Sequence, residues 1–142
     1  MKYLTLLLIG ITLSACTSTA QLPANNNLYE EIGGQQTLSK VFGLALTRIY
    51  NDPIIGHHFT GVPKSHLRKH LTEQTCELIG GPCVYQGKDM VEVHTDHNIT
   101  DKEFFILVEY VQGAMRDIGL TVEQENQILQ KLAPLKDQIV YR

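Results

Sequence analysis

The chain has 142 residues, of which 43% are hydrophobic and 19% charged, and its formal net charge is −3. This length fits one domain with a single hydrophobic core. The lack of a basic surplus argues against nucleic-acid binding, and the lack of long charge runs argues against a disordered charged tail.

The N-terminus has the pattern of an export signal. Lys2 precedes a mostly apolar, uncharged run over residues 4–13, which is shorter than the ~20 residues that a membrane-spanning helix needs. The run ends in Leu-Ser-Ala-Cys at residues 13–16, which resembles the lipobox of bacterial lipoproteins. That resemblance implies cleavage before Cys16 and acylation of this residue; the alternative is an ordinary signal peptide followed by an incidental cysteine. Several acyl chains would anchor the protein stably to a membrane.

The sequence therefore predicts three segments. Residues 1–15 are expected to be a lipoprotein signal peptide and residues 28–142 the folded domain. Residues 16–27 are small, polar and poor in apolar side chains, which favours a flexible tether between lipid and domain. By the same argument, the protein is placed in a bacterial cell envelope, with its domain outside the cytoplasm on the periplasmic side.

Apolar spacing in the folded domain predicts helices and no strands. A short opening segment at 28–32 ends at Gly33-Gly34. Longer helices are expected at 35–50, 65–79, 100–118 and 121–139, and a short one at 89–97. Two of them begin with capping-box sequences, Thr100-Asp101-Lys102-Glu103 and Thr121-Val122-Glu123-Gln124. Pro134 is expected to kink the last helix. The fold class is all-α.

Cys76 and Cys83 remain once Cys16 is assigned to lipid. An oxidising compartment permits a disulfide between them, but a sequence does not give the separation of their Cα atoms. A disulfide and two separate thiols both stay open.

Several ordered motifs together resemble the group 1 truncated haemoglobins over about residues 28–140. They are Leu28-Tyr29-Glu30-Glu31-Ile32-Gly33-Gly34, Asn51-Asp52-Pro53, Phe59, Gly80-Gly81-Pro82, Tyr85-Gln86-Gly87, Met90 with His94, Ile99-Thr100 and Leu132-Ala133-Pro134-Leu135. The resemblance implies a truncated globin fold, a two-over-two helical sandwich that holds haem b and its iron.

The resemblance also implies roles for single residues. His94 matches the proximal iron ligand, and a neutral imidazole is a suitable ligand for haem iron. Met90 and Phe104 match residues on the proximal side, and Phe59 matches a phenylalanine that packs on the haem face. The matching distal pocket positions hold Leu46, Leu67, His70 and Leu71.

Two distal positions depart from the family pattern. Leu46 stands where a tyrosine is common, and Leu71 where a glutamine is common. Those polar groups usually surround bound oxygen, so their absence puts the nitric-oxide dioxygenase activity of some members in doubt here. His70 matches the position from which some members supply a second axial histidine, and a distal iron ligand is therefore one reading of it.

Two other classes compete with a haemoprotein. His66 and His70 are spaced to share one metal on a helix, although the glutamate that a zinc hydrolase carries after its first histidine is missing. A cofactor-free scaffold lipoprotein is the other class. His57, His58 and His97 are interpreted as surface histidines.

The function predicted from these residues is reversible haem binding and, through the iron, binding of oxygen, nitric oxide or carbon monoxide. Ligand binding or electron transfer is favoured over catalysis, with nitric-oxide dioxygenase and peroxidase activities left open. The expected partners are the diatomic ligand, a lipid bilayer through Cys16 and an unidentified reductase.

Overall fold

Every regular element is helical in residues 27–142, the part of the chain that the computed structural model describes. The predicted signal peptide, the predicted lipidation site Cys16 and most of the predicted tether lie outside the described residues. The elements are α1 (Leu28–Glu31), α2 (Gly34–Ile49), a first 3₁₀ helix (Gly56–Phe59), α3 (Lys64–Leu78), α4 (Met90–His94), α5 (Asp101–Asp117), α6 (Val122–Leu132) and a second 3₁₀ helix (Ala133–Gln138). The all-α prediction is confirmed.

The core is built around α2, which packs against both α3 and α5. One face of α2 is almost completely removed from solvent, as the helical spacing predicts. Its buried residues are Leu38, Val41, Phe42, Ala45, Leu46 and Ile49. Each large apolar side chain on this face contributes about 1.5–3 kcal/mol by burial. The second layer is formed by α5 and α6, with α6 also contacting α3, so the sandwich has two helices over two.

The connection after α2 is fixed by Asp52. Its carboxylate accepts hydrogen bonds from the backbone N–H groups of Ile54 (2.7 Å) and Ile55 (2.9 Å), and from the Tyr110 hydroxyl of α5 at 2.6 Å. The Tyr110 hydrogen bond is the main reason why the pKa of Asp52 is lowered. These bonds tie the end of α2 to α5 and so position the first 3₁₀ helix, which carries Phe59.

Cys76 and Cys83 form a disulfide, with their Cα atoms 5.8 Å apart. The chain reverses at the end of α3 because Gly80 adopts a left-handed φ of +87° and Gly81 lies against the sulfur of Cys76. A Cβ at Gly81 would lie 2.6 Å from that sulfur, which no side chain tolerates. The disulfide therefore ties the loop that leads to α4 back onto α3.

α4 is shorter than the predicted helix at 89–97. Asp89 caps its start by accepting from the N–H groups of Val91 and Glu92. The helix ends at His94 because Thr95 is extended and Asp96 adopts a positive φ of 68°. The C-terminus returns to this corner, where the Tyr141 N–H donates to the Ile99 carbonyl at 2.9 Å.

The last two long helices begin as predicted, each with a complete capping box at Thr100 and Thr121. The prediction for the last helix is wrong at its end. Instead of a kinked helix to residue 139, α6 stops at Leu132 and the chain continues as a 3₁₀ helix, with Pro134 in its first turn. Proline lacks the N–H that an α-helix needs at that position.

Among residues 27–142, no helix combines the length and the apolar character needed to cross a bilayer.

Candidate functional site

His94, the predicted iron ligand, is the last residue of α4 and is half-buried. Its Nδ1 lies 2.7 Å from the carbonyl oxygen of Met90, one turn earlier. A carbonyl only accepts, so Nδ1 carries the ring hydrogen and Nε2 keeps its lone pair. Burial lowers the pKa of His94, and this outweighs the raising effect of the Met90 hydrogen bond. The imidazole is therefore neutral at neutral pH, the state in which it binds metals.

Four of the predicted pocket residues belong to one apolar cluster. Leu46 is fully buried, whereas Phe59, Leu67 and Leu71 pack against the buried core and remain partly exposed. The ring of Phe59 lies 5.5 Å from that of Tyr50. Apolar side chains that are half-buried against a core, on separate elements, form a surface that a flat apolar molecule can cover.

The two remaining residues predicted to contact haem, Met90 and Phe104, lie on α4 and α5. Met90 begins α4 and holds His94 through its backbone carbonyl. Phe104 is in the first turn of α5, is partly exposed, and packs edge-on against Phe105 with ring centroids 5.7 Å apart.

His70 lies on the partly buried side of α3 and has an unusual set of neighbours. Its Nε2 is 3.1 Å from Nε2 of His66, and its Nδ1 is 3.8 Å from a carboxylate oxygen of Glu73. The Tyr85 ring meets the imidazole edge-on at 5.9 Å. Both His70 Nδ1 and that Glu73 oxygen are buried atoms without a hydrogen-bond partner. At 3.8 Å these two atoms are slightly beyond hydrogen-bonding distance of each other.

The donor set fits haem. The iron needs one neutral nitrogen ligand, and its porphyrin needs apolar cover. His94, oriented by Met90, has Nε2 available as that ligand. Phe59, Leu67 and Leu71 provide apolar surface that the protein only partly covers. Hydrogen bonding of the second ring nitrogen to a carbonyl is how metal-binding histidines are normally oriented.

One histidine has a long-range partner that the sequence does not predict. His58, interpreted as a surface residue, is only 12% exposed in its side chain, and its Nε2 lies 3.2 Å from a carboxylate oxygen of Glu103. The two residues are 45 positions apart, so no local pattern predicts the contact. His57 and His97 are exposed, as expected.

Comparisons with known proteins agree on one family. The family model for bacterial-like globins matches residues 27–141. The chain is 29% identical over 113 residues to the group 1 truncated haemoglobin GlbN of Mycolicibacterium paratuberculosis, covering 80% of this chain and 83% of the relative.

Solved structures with the same fold include two truncated haemoglobins. The Fe(III) form from Tetrahymena pyriformis superposes with a TM-score of 0.77 at 23% identity, over 81% of this chain and 98% of that one. The protein THB11 from Chlamydomonas reinhardtii gives a TM-score of 0.68 at 25% identity, over 79% and 93% of the two chains.

Proposed function

The chain belongs to the bacterial-like globin family and is similar to group 1 truncated haemoglobins, and from this premise we propose that it binds haem b through His94 and a diatomic gas at the haem iron. The observation that carries the proposal is the His94 imidazole. It is neutral, oriented by Met90, and presents Nε2 as a ligand atom. Haem, which contains iron, is the cofactor of this family; when bound, it supplies the metal at which oxygen and related gases bind.

In this proposal, different residues of the chain would bind the iron, cover the porphyrin and contact the gas. His94 would hold the iron, and Phe59, Leu67 and Leu71 would cover the cofactor with apolar surface and exclude water from it. Leu46 and Leu71 cannot donate a hydrogen bond, so the distal pocket is apolar around any ligand. Of the predicted distal residues, His70 alone can donate or accept.

We propose further that His70 would supply a second imidazole ligand to the iron. The support is one carboxylate oxygen of Glu73, which lies 3.8 Å from Nδ1 of His70 and has no hydrogen-bond partner, whereas the other oxygen pairs with Lys69. If the ring rotates so that Nδ1 donates to Glu73, Nε2 keeps its lone pair, moves away from His66 and would be available to a metal, with Glu73 as the orienting residue. Coordination of the iron by two histidines favours a role in ligand binding or electron transfer over dioxygenase activity.

Absorption spectra of the purified protein test the proposed cofactor. A Soret band that shifts on reduction and again on addition of carbon monoxide is the expected result. A colourless protein whose bound zinc is lost in His66→Ala would instead support the non-haem metal alternative, for which His66 and His70 are the candidate ligands. A colourless protein without metal would support the scaffold alternative.

We also propose that the domain is attached to a bacterial envelope membrane through acylated Cys16, on the periplasmic side. The lipobox-like sequence at residues 13–16 motivates this. The disulfide between Cys76 and Cys83 supports it independently, because disulfides persist in exported compartments and are rare in the cytosol.

Changing Cys16 to serine should abolish acylation, because the cysteine thiol is the acceptor of the first acyl group in this class of protein. Metabolic labelling with a fatty-acid analogue, followed by separation of membranes, measures the effect. The wild type should carry the label and sediment with membranes, and Cys16→Ser should carry none. Cys83→Ser serves as the matched control and should still be labelled. Equal labelling of wild type and Cys16→Ser would rule out this site.

A further inference from the structure

A group of three metal-binding side chains lies at the junction of the first 3₁₀ helix and α5. His57 and His58 are consecutive in the 3₁₀ helix, and Glu103 is in the first turn of α5. One ligand atom from each residue can be chosen so that all three lie within 4.8 Å of one another. Within residues 27–142, no other group of three such side chains meets this criterion. None of the three has a role in the proposed haem site.

The distances suit a small divalent cation. Zinc binds imidazole nitrogen and carboxylate oxygen at about 2.0–2.2 Å, so neighbouring ligand atoms in a tetrahedral site lie roughly 3.3 Å apart. Nε2 of His58 and the Glu103 oxygen are 3.2 Å apart, already at that spacing. The imidazole rings of His57 and His58 have centroids 4.0 Å apart. His57 is exposed, so its side chain is free to rotate and close the remaining distance.

Glu103 is held in place by bonds that leave its metal-facing oxygen available. Its other oxygen accepts from the N–H of Thr100 at 2.9 Å and from the Thr100 hydroxyl at 2.7 Å. Thr100 therefore orients the carboxylate, which is ionised at neutral pH as a glutamate normally is. A ligand carboxylate that is oriented by second hydrogen bonds is the usual arrangement in metal sites.

We propose that His57, His58 and Glu103 bind a zinc ion, with water in the fourth position. Two histidines and one glutamate form an established zinc ligand set with an open position. The ion would join the first 3₁₀ helix to the start of α5. Each of these segments carries a residue matched to the haem surroundings, Phe59 beside His58 and Phe104 beside Glu103. The site is independent of the proposed haem function, because its three ligands are separate from His94 and His70.

Zinc binding to the full-length, haem-loaded protein tests the site. Competition with a chromophoric chelator should give one zinc per chain, with an affinity that falls at least about tenfold in His58→Ala and in Glu103→Gln. The glutamine variant is informative because glutamine at this position still completes a capping box with Thr100. Its fold should therefore persist, and the Soret band should match that of the wild type.

Two control variants separate this site from other sources of zinc binding. Glu109→Gln removes an exposed carboxylate from the same helix, and His66→Ala disrupts the other close histidine pair; both should bind zinc like the wild type. Absence of stoichiometric zinc in the wild type would overturn the proposal. Wild-type affinity in both His58→Ala and Glu103→Gln would overturn it as well, as would loss of zinc in His66→Ala. Loss of the Soret band without loss of zinc would contradict the haem proposal alone.

Discussion

Replacing His94 with alanine is expected to remove most of the haem, with an affinity loss of more than about 100-fold. Loss of a group that only orients a metal ligand already costs about 10–100-fold, and this substitution removes the ligand itself. The residual haem affinity would come from apolar contact with residues such as Phe59 and Leu71, together with any bond from His70 to the iron. Transfer of haem to an excess of apomyoglobin measures the loss, and the Soret band should fall in the same experiment.

Exogenous imidazole provides the internal check on this result. The alanine leaves space where the ring stood, so added imidazole should restore part of the haem binding and of the spectrum. His97→Ala is the matched control because His97 is three residues further on and exposed. A His94→Ala protein with the wild-type spectrum and haem affinity would contradict the assignment of His94 and the two-histidine proposal with it.

Much of the fold could be predicted because its determinants are local. The apolar stripe of α2 and the capping boxes at Thr100 and Thr121 all depend on residues within a few positions of each other. The two predicted helices that are too long fail for different reasons: the last one changes to a 3₁₀ helix at Pro134, and the short one ends where the backbone leaves the helical region. Just beyond the end of α4, Asp96 has a positive φ of 68°. A sequence pattern rarely predicts this conformation for a residue other than glycine.

The candidate site could be predicted only in part, for the same reason. The His94–Met90 pair is one helical turn apart, so the family motif contains the whole interaction. The contact between His58 and Glu103 and the approach of Cys83 to Cys76 depend on how the chain turns between them. The disulfide stayed one of two alternatives because the close approach of Gly81 to the sulfur, which permits the turn, has no sequence pattern.

Replacing His70 with leucine should convert the reduced protein from six-coordinate low-spin to five-coordinate high-spin. The wild-type ferrous protein is expected to be six-coordinate, because Leu46 and Leu71 at the matching distal positions cannot hydrogen-bond to the imidazole, which leaves His66 as its competitor with the iron. External ligands then have to displace His70 before they bind. The absorption spectrum reports the spin state, and carbon monoxide binding after flash photolysis should become faster in His70→Leu because this displacement step is gone.

Oxygen dissociation gives a second readout of the same substitution. A hydrogen bond from His70 to oxygen in the pocket would contribute roughly 1.5–3 kcal/mol, as for bonds to charged groups, which is about ten- to a hundredfold in affinity. Leu46 and Leu71 cannot replace it, so oxygen should dissociate faster from His70→Leu. An unchanged dissociation rate, together with a wild-type ferrous spectrum that is already five-coordinate, would mean that His70 contacts neither the iron nor the ligand.

Substitutions of the two neighbours of His70 are expected to shift the iron in opposite directions between its five-coordinate and six-coordinate states. Nε2 of His66 lies 3.1 Å from Nε2 of His70 and competes with the iron for that nitrogen. His66→Leu removes the competitor and should make the six-coordinate state more complete, with slower binding of carbon monoxide. Glu73→Gln replaces the charged acceptor near Nδ1 with a neutral one, which weakens the imidazole as a ligand and should shift the spectrum towards five-coordinate. If both substitutions move the coordination in the same direction, the proposed rotation of His70 between His66 and Glu73 is wrong.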